Sequence, residues 1–97
     1  MSTSVEISLD ARAVAISGVV SCELDGETVL LHPASSTYFG LDAVGTQIWN
    51  TIQESRTVAE IRDRLTESYD VEPGRCEQAV IRLISDLAGH GLVTITA

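Results

Sequence analysis

Glu27-Thr-Val-Leu-Leu-His-Pro-Ala-Ser-Ser-Thr-Tyr-Phe-Gly-Leu-Asp42 is the stretch on which the fold turns. Val29, Leu30 and Leu31, then Tyr38, Phe39 and Leu41, are β-formers on either side of a Pro-Ala-Ser-Ser break, which is how a hairpin is written in sequence. Toward the amino terminus, Val19 to Leu24 reads as a further strand and Asp25-Gly26 as a two-residue type I′ turn, with Thr28 to His32 as the antiparallel return. Pro33 to Ser36 reverses the chain again and Thr37 to Leu41 follows. Earlier still, Val5, Ile7 and Leu9 alternate with Glu6, Ser8 and Asp10, a period-two strand with one wet face that Val14 and Ile16 continue or restart. The expected sheet is an antiparallel meander of three or four strands. Residues 1–17 form an extension packed on a domain spanning 18–97.

From Asp42 the period becomes helical. Asp42 is placed as an N-cap, with Val44, Ile48, Trp49 and Ile52 on one stripe. Thr57-Val-Ala-Glu60 is a capping box, and Val58, Ile61 and Leu65 supply the buried face behind it, with Tyr69 closing that core. Pro73 suits the first turn of a third helix, which Gly89 or Gly91 ends in a left-handed cap. On its body, Arg75 to Ala88, the residues Cys76, Val80, Leu83 and Leu87 trace one face, while Ile81, Ile84 and Ala88 widen the stripe beyond what one packing surface requires. Leu92 to Ile95 reads as a short terminal strand or an extended tail. The class is α+β, a small meander followed by three helices.

At 97 residues the chain is a single domain, too short for a cleft between two. Fourteen acids against six bases give a net charge of −8, and every base is an Arg interleaved with acids. A phosphate-tracking surface needs a basic face, so nucleic acid is not an expected partner. No run approaches the roughly eighteen apolar residues that span a bilayer, and the first residues lack a signal-peptide pattern. The expected location is a reducing cytoplasm, with Cys22 and Cys76 as buried thiols rather than a disulfide.

Parts for catalysis are missing. His32 abuts Pro33 and His90 lies between two glycines, neither with a nucleophile or carboxylate at motif spacing. The carboxylates are scattered, the glycines make no phosphate loop, and neither a metal nor a cofactor is expected. Binding is the more natural reading. Edge strands are normally blunted by Lys, Pro or inward charge, because their unpaired main-chain groups recruit other chains. Thr37 to Leu41 carries none of these, so a ligand, the amino-terminal strand or a second copy must cover it. Trp49 is either a core keystone or a partner anchor.

Gly26-Glu-Thr-Val-Leu-Leu, Tyr38-Phe-Gly-Leu-Asp-Ala-Val-Gly-Thr-Gln-Ile-Trp49, Thr57-Val-Ala-Glu-Ile61 and Leu87-Ala-Gly-His-Gly-Leu-Val93, in this order, resemble the PqqD-like proteins. The likeness covers residues 18 to 93 and implies a winged-helix-like domain. Two departures stand out: Asp42 replaces the usual Asn of the strand-to-helix junction, and Thr37 stands where a basic residue often precedes the Tyr.

The resemblance implies a leader-peptide recognition element of ribosomal peptide natural product biosynthesis, with a stand-alone lasso peptide protein as the preferred type. In such domains the leader of a precursor peptide adds as an antiparallel strand to the third strand and is covered by the third helix. Carried onto this chain, the site is Thr37, Tyr38, Phe39, Gly40 and Leu41 with Ile81, Ile84 and Ala88, and Arg75 and Arg82 at the rim. Ile84→Asp is then expected to abolish binding while leaving the circular dichroism spectrum unchanged. The partners implied are the leader and a modifying enzyme such as a leader peptidase, cyclase or radical-SAM enzyme. The protein itself is expected to be a monomer or weak homodimer. A winged-helix transcription regulator and a dimerisation module are the competing readings.

Overall fold

The computed structural model describes residues 7–96. Strand β1 (Arg12–Ala15) is followed by β2 (Val20–Leu24), β3 (Glu27–His32) and β4 (Thr37–Leu41), then helix α1 (Ala43–Thr51). The short β5 (Arg56–Thr57) leads into α2 (Val58–Ser68), and α3 (Pro73–Gly89) precedes β6 (Val93–Thr96). The strands form two sheets, ordered β2-β3-β4 and β5-β1-β6. The architecture is α+β and winged-helix-like, as expected, with the meander as the wing.

The hairpin chemistry is that of the sequence. Asp25 and Gly26 have φ values of 55° and 81°, the two positive angles a type I′ turn requires. Leu24 and Glu27 close the pair, and Val20 faces Leu31 at its far end. In the second reversal the Ser35 N–H donates to the His32 carbonyl at 3.2 Å, and Ser36 at φ 54° turns the chain back into β4.

The amino-terminal strand departs from expectation. Val5 and Glu6 lie outside the described residues, and Ile7 to Asp10 are not a strand. Their carbonyls are needed elsewhere: the Val58 N–H donates to the Ala11 carbonyl at 3.0 Å and the Ala59 N–H to that of Leu9 at 3.2 Å. These are the first two orphan donors of α2, which the capping box leaves unsatisfied. Pairing begins only at Arg12, where β1 runs antiparallel to both β5 and β6. It was expected beside the meander; instead it belongs to the other sheet, with Ala13 fully buried between its neighbours.

The helix ends were legible. The Asp42 Oδ1 accepts the Gly45 N–H at 2.8 Å. The Thr57 Oγ1 accepts the Glu60 N–H at 3.1 Å, while Glu60 Oε1 accepts the Thr57 N–H at 2.8 Å. Helix α3 closes in a Schellman motif: the Leu92 N–H donates to the Leu87 carbonyl, the Gly91 N–H to that of Ala88, and Gly91 carries the positive φ of 74°.

One core joins these parts. Leu30 and Leu41 from the meander meet Ile48, Trp49 and Ile52 of the α1 region, Val58, Ile61 and Leu65 of α2, and Cys76, Val80, Ile84 and Leu87 of α3. Trp49 is thus a core residue, not a free anchor. A buried hydrogen bond of 2.9 Å between the hydroxyls of Thr46 and Thr28 ties α1 to β3. Across the helices, the Arg62 guanidinium meets Glu77 at 2.6 Å.

Candidate functional site

The pairing register decides which main-chain groups of β4 are free. In an antiparallel pair, successive residues alternate between exchanging both bonds with the partner and directing both groups away. A two-residue hairpin closes on a bonded pair, here Leu24 and Glu27, so Val29 and Leu31 also bond to β2. Thr28, Leu30 and His32 then bond to β4, where they face Leu41, Phe39 and Thr37. The N–H and C=O groups of Tyr38 and Gly40 are left pointing outward. Strand β4 ends its sheet, so these four groups have no strand partner among the described residues.

Side chains alternate the other way, across the faces of the sheet. Leu41 is buried and Phe39 packs against the core, while Tyr38 is 69% exposed on the opposite face with Val29. Leu31 shares that outer face, opposite both Val20 and Tyr38. Of these two adjacent aromatic residues, only Phe39 packs against the core.

Helix α3 lies along the free edge. At one end, the rings of Phe39 and His90 meet edge to face with centroids 5.0 Å apart, and His90 Nδ1 lies 2.8 Å from the Asp86 carbonyl oxygen. At the other end, Gly40, Leu41, Val44 and Ile48 face Ala79 and Leu83 across a pocket of about 220 Å³. A second, largely apolar pocket of about 400 Å³ shares Val44 and Ala79 with it and continues toward Leu65, Tyr69 and Val71. The two make one apolar trough that begins at the outward groups of Gly40. Cys76 belongs to its wall, and burial raises the thiol's pKa, so it stays neutral. Cys22, expected to be buried as well, is instead an exposed free thiol on β2.

The junction that sets this geometry is tight. A Cβ on Gly45 would lie 3.1 Å from Leu41 Cδ2 and 3.3 Å from Asp42 Oδ1, so a side chain there would crowd both the core residue that ends β4 and the cap of α1. Asp42 serves the junction as a cap and retains the function of the more usual Asn.

Ile81, Ile84 and Ala88, expected on the helix side, do not line the trough. Ile84 is 0% exposed and central to the core. At 100° per residue, Ile81 and Ala88 share a flank with Glu77, the residue that meets Arg62 of α2, and so face away from β4. The opposite flank carries Ala79 and Leu83 into the trough, with Arg75 and Arg82 on an open shelf beside it. The structure therefore places Gly40 and Leu41 opposite Ala79 and Leu83, with Arg75 and Arg82 on the shelf of the same helix flank and Phe39 at the far end against His90. It leaves Thr37 and Tyr38 apart from the arginines, and Ile81, Ile84 and Ala88 away from the trough. Ile84→Asp would place a carboxylate in the centre of the core and unfold the domain, so it cannot test binding. Ala79, Leu83 and Val44 were missed as lining residues, although Leu83 and Val44 had been read as apolar stripe positions.

Among the described residues there is no group of His, Cys, Asp or Glu able to hold a metal, and no helix long and apolar enough to cross a membrane. Residues 27–93 match the family model described as coenzyme PQQ synthesis protein D (PqqD). Among solved structures, TbiB1 in complex with the TbiA(beta) leader peptide is 37% identical, with a TM-score of 0.78 over 87% of this chain and 98% of that one. Lasso peptide synthetase B1 complexed with the leader peptide is 22% identical, with a TM-score of 0.74 over 84% and 96%, a likeness of fold. No match was found among curated protein sequences.

Proposed function

This chain belongs to the PqqD family, and from that premise we propose that it is a non-catalytic module that holds the leader of a ribosomally made precursor peptide. The observation that carries this reading is the open edge of β4, four outward main-chain groups lying beside an apolar trough on α3. The leader adds as an antiparallel strand bonded to Tyr38 and Gly40, and its inward side chains enter the trough. The similarity to TbiB1, whose structure holds a leader peptide, supports the same occupant here.

Energetics require both halves of the site. Four hydrogen bonds at about 0.5 to 1.5 kcal/mol net contribute only about 2 to 6 kcal/mol, and ordering a flexible peptide offsets much of that. Micromolar binding needs about 8 kcal/mol. Burying an aliphatic side chain contributes about 1.5 to 3 kcal/mol, so one or two anchors in the trough close the difference. Main-chain bonding is indifferent to sequence, so specificity resides in the trough.

The module then presents the leader to a separate modifying enzyme: a leader peptidase or cyclase of lasso peptide maturation first, a radical-SAM enzyme second. It acts in the cytoplasm as a monomer or weak homodimer. The transcription-regulator reading loses support from α3, where Glu72, Glu77 and Asp86 offset Arg75 and Arg82. Leu83→Asp is the decisive variant. Its side chain is only half buried, so circular dichroism should be unchanged while binding of the cognate leader, read by fluorescence anisotropy, is lost. Binding at wild-type strength would refute the groove.

A further inference from the structure

We propose that the shelf of α3 beside the trough selects an acidic side chain in the bound peptide, with Arg75 and Arg82 as the selecting residues. The proposal rests on the trough being the peptide site and specifies which peptides it takes.

The first ground is the pairing of charge. Arg62 is engaged by Asp63 and Glu77, Arg56 by Glu54, and Arg12 reaches Ser55. Arg64 has no ion-pair partner within 4.0 Å among the described residues but lies on α2 beside Gln47, Asn50 and Thr51, away from the trough. Arg75 and Arg82 likewise have none among the described residues, in a chain of net charge −8. Asp86 is one turn beyond Arg82, yet the two do not pair; a base preceding an acid is the weaker order at this spacing. With acids so abundant, two unengaged arginines on one helix flank are cations available to a ligand.

The second ground is position. Phe39 meets His90, and Leu41 lies opposite Ala79 and Leu83, so α3 runs antiparallel to β4. Arg82 sits at the level of the trough between Ala79 and Leu83, and Arg75 is seven residues away along the helix, about 10 Å toward Val44. A strand added to β4 presents a side chain to α3 at every second residue, about every 6.6 Å. An anchor between Ala79 and Leu83 therefore has its neighbours two residues away beside the shelf, within reach of a guanidinium. Two carboxylates border the trough, Asp42, whose Oδ1 accepts the Gly45 N–H, and Asp70 beyond Val44, so an acidic side chain is drawn toward the arginine shelf and away from the trough itself.

The third ground is contrast. No Arg or Lys occurs from Val19 to Asp42, where Glu23, Asp25, Glu27 and Asp42 lie. An acidic side chain thus meets attraction only on the α3 side of a bound strand. The contact selects as well as binds.

The test is a selection from a displayed library of random dodecapeptides on the wild-type protein and on the Arg75→Glu/Arg82→Glu double variant, both checked for an unchanged circular dichroism spectrum. Wild-type binders should carry Asp or Glu two residues from an apolar anchor, and the double variant should enrich Lys or Arg there. Each single neutralisation, Arg75→Gln or Arg82→Gln, should weaken a selected acidic peptide up to about fivefold, the range of one exposed ion pair. Apolar anchors recovered with the same charge profile on both proteins would overturn the selection while leaving the trough intact. An empty pool from both would remove the trough as a peptide site, and the selection with it.

Discussion

Replacing Gly40 with proline tests the register argument directly. The N–H of Gly40 points out of the sheet, so its loss removes a bond to the leader and none to β3. Proline is tolerated at an edge position whose N–H faces solvent, and a Cβ at Gly40 meets nothing within 4 Å. Stability should therefore change by less than about 1 kcal/mol, a shift of no more than about 4 to 8 °C for a domain of this size. Binding should suffer more. One hydrogen bond of about 0.5 to 1.5 kcal/mol is lost, and a leader carbonyl is left facing the pyrrolidine ring, unsatisfied at a cost of about 1 to 3 kcal/mol. Together these weaken the complex by about tenfold at least. Fluorescence anisotropy with labelled leader measures the loss of binding and urea denaturation the change in stability, with Gly40→Ala as the control that should match wild type in both. A folded Gly40→Pro protein that binds at full strength would refute strand addition at this edge. One that fails to fold would refute the register, because the Gly40 N–H would then have been bonded within the sheet.

Two predictions concern the supports of the site. Thr46→Val leaves the buried Thr28 hydroxyl without its partner and should cost about 1 to 3 kcal/mol in urea denaturation, whereas adding Thr28→Val should recover much of that by removing the orphan. The capping box gives a pH dependence. The backbone N–H of Thr57 is the first cause of a Glu60 pKa held below its ordinary value, so the stabilisation is present above the usual carboxylate range and lost as pH falls through it. Stability of Glu60→Gln, followed by denaturation at several pH values, should fall less steeply with acid than that of wild type.

What could be read in the sequence follows the strength of each local signal. Asp25-Gly26 specifies its turn because few residue pairs accept two positive φ angles, and Thr57-x-x-Glu60 specifies its helix start because each side chain answers the other's backbone. From Val20 to Glu60 the hairpin, β4, α1 and the start of α2 accordingly fall where the residues place them, while the two-residue β5 was not expected. The described part of the first expected strand, Ile7 to Asp10, departs from expectation for a reason outside its own pattern. Val5, Ile7 and Leu9 alternate well, but the carbonyls of Leu9 and Ala11 are taken by the N–H groups that begin α2. Nothing local to residues 5–11 announces that distant demand.

The same distinction explains why the candidate site's geometry was legible on its strand and not on its helix. A strand has only two faces, so once the turn at Asp25-Gly26 fixes the register, the free groups at Tyr38 and Gly40 follow by counting. A helix stripe has no such binary. On α3 the apolar positions extend from Ala79 through Leu83 and Ile84 to Ile81, and a core centred on Leu83 or on Ile84 suits the pattern almost equally. The core is centred on Val80, Ile84 and Leu87, which turns Leu83 toward β4 and Ile81 away from it. One salt bridge carried the missing orientation: Glu77 faces Arg62 on α2, and the flank opposite it is the one left for a ligand. Charge partners across helices, weighed together with the apolar stripe, therefore orient a helix that hydrophobic periodicity alone leaves free to rotate.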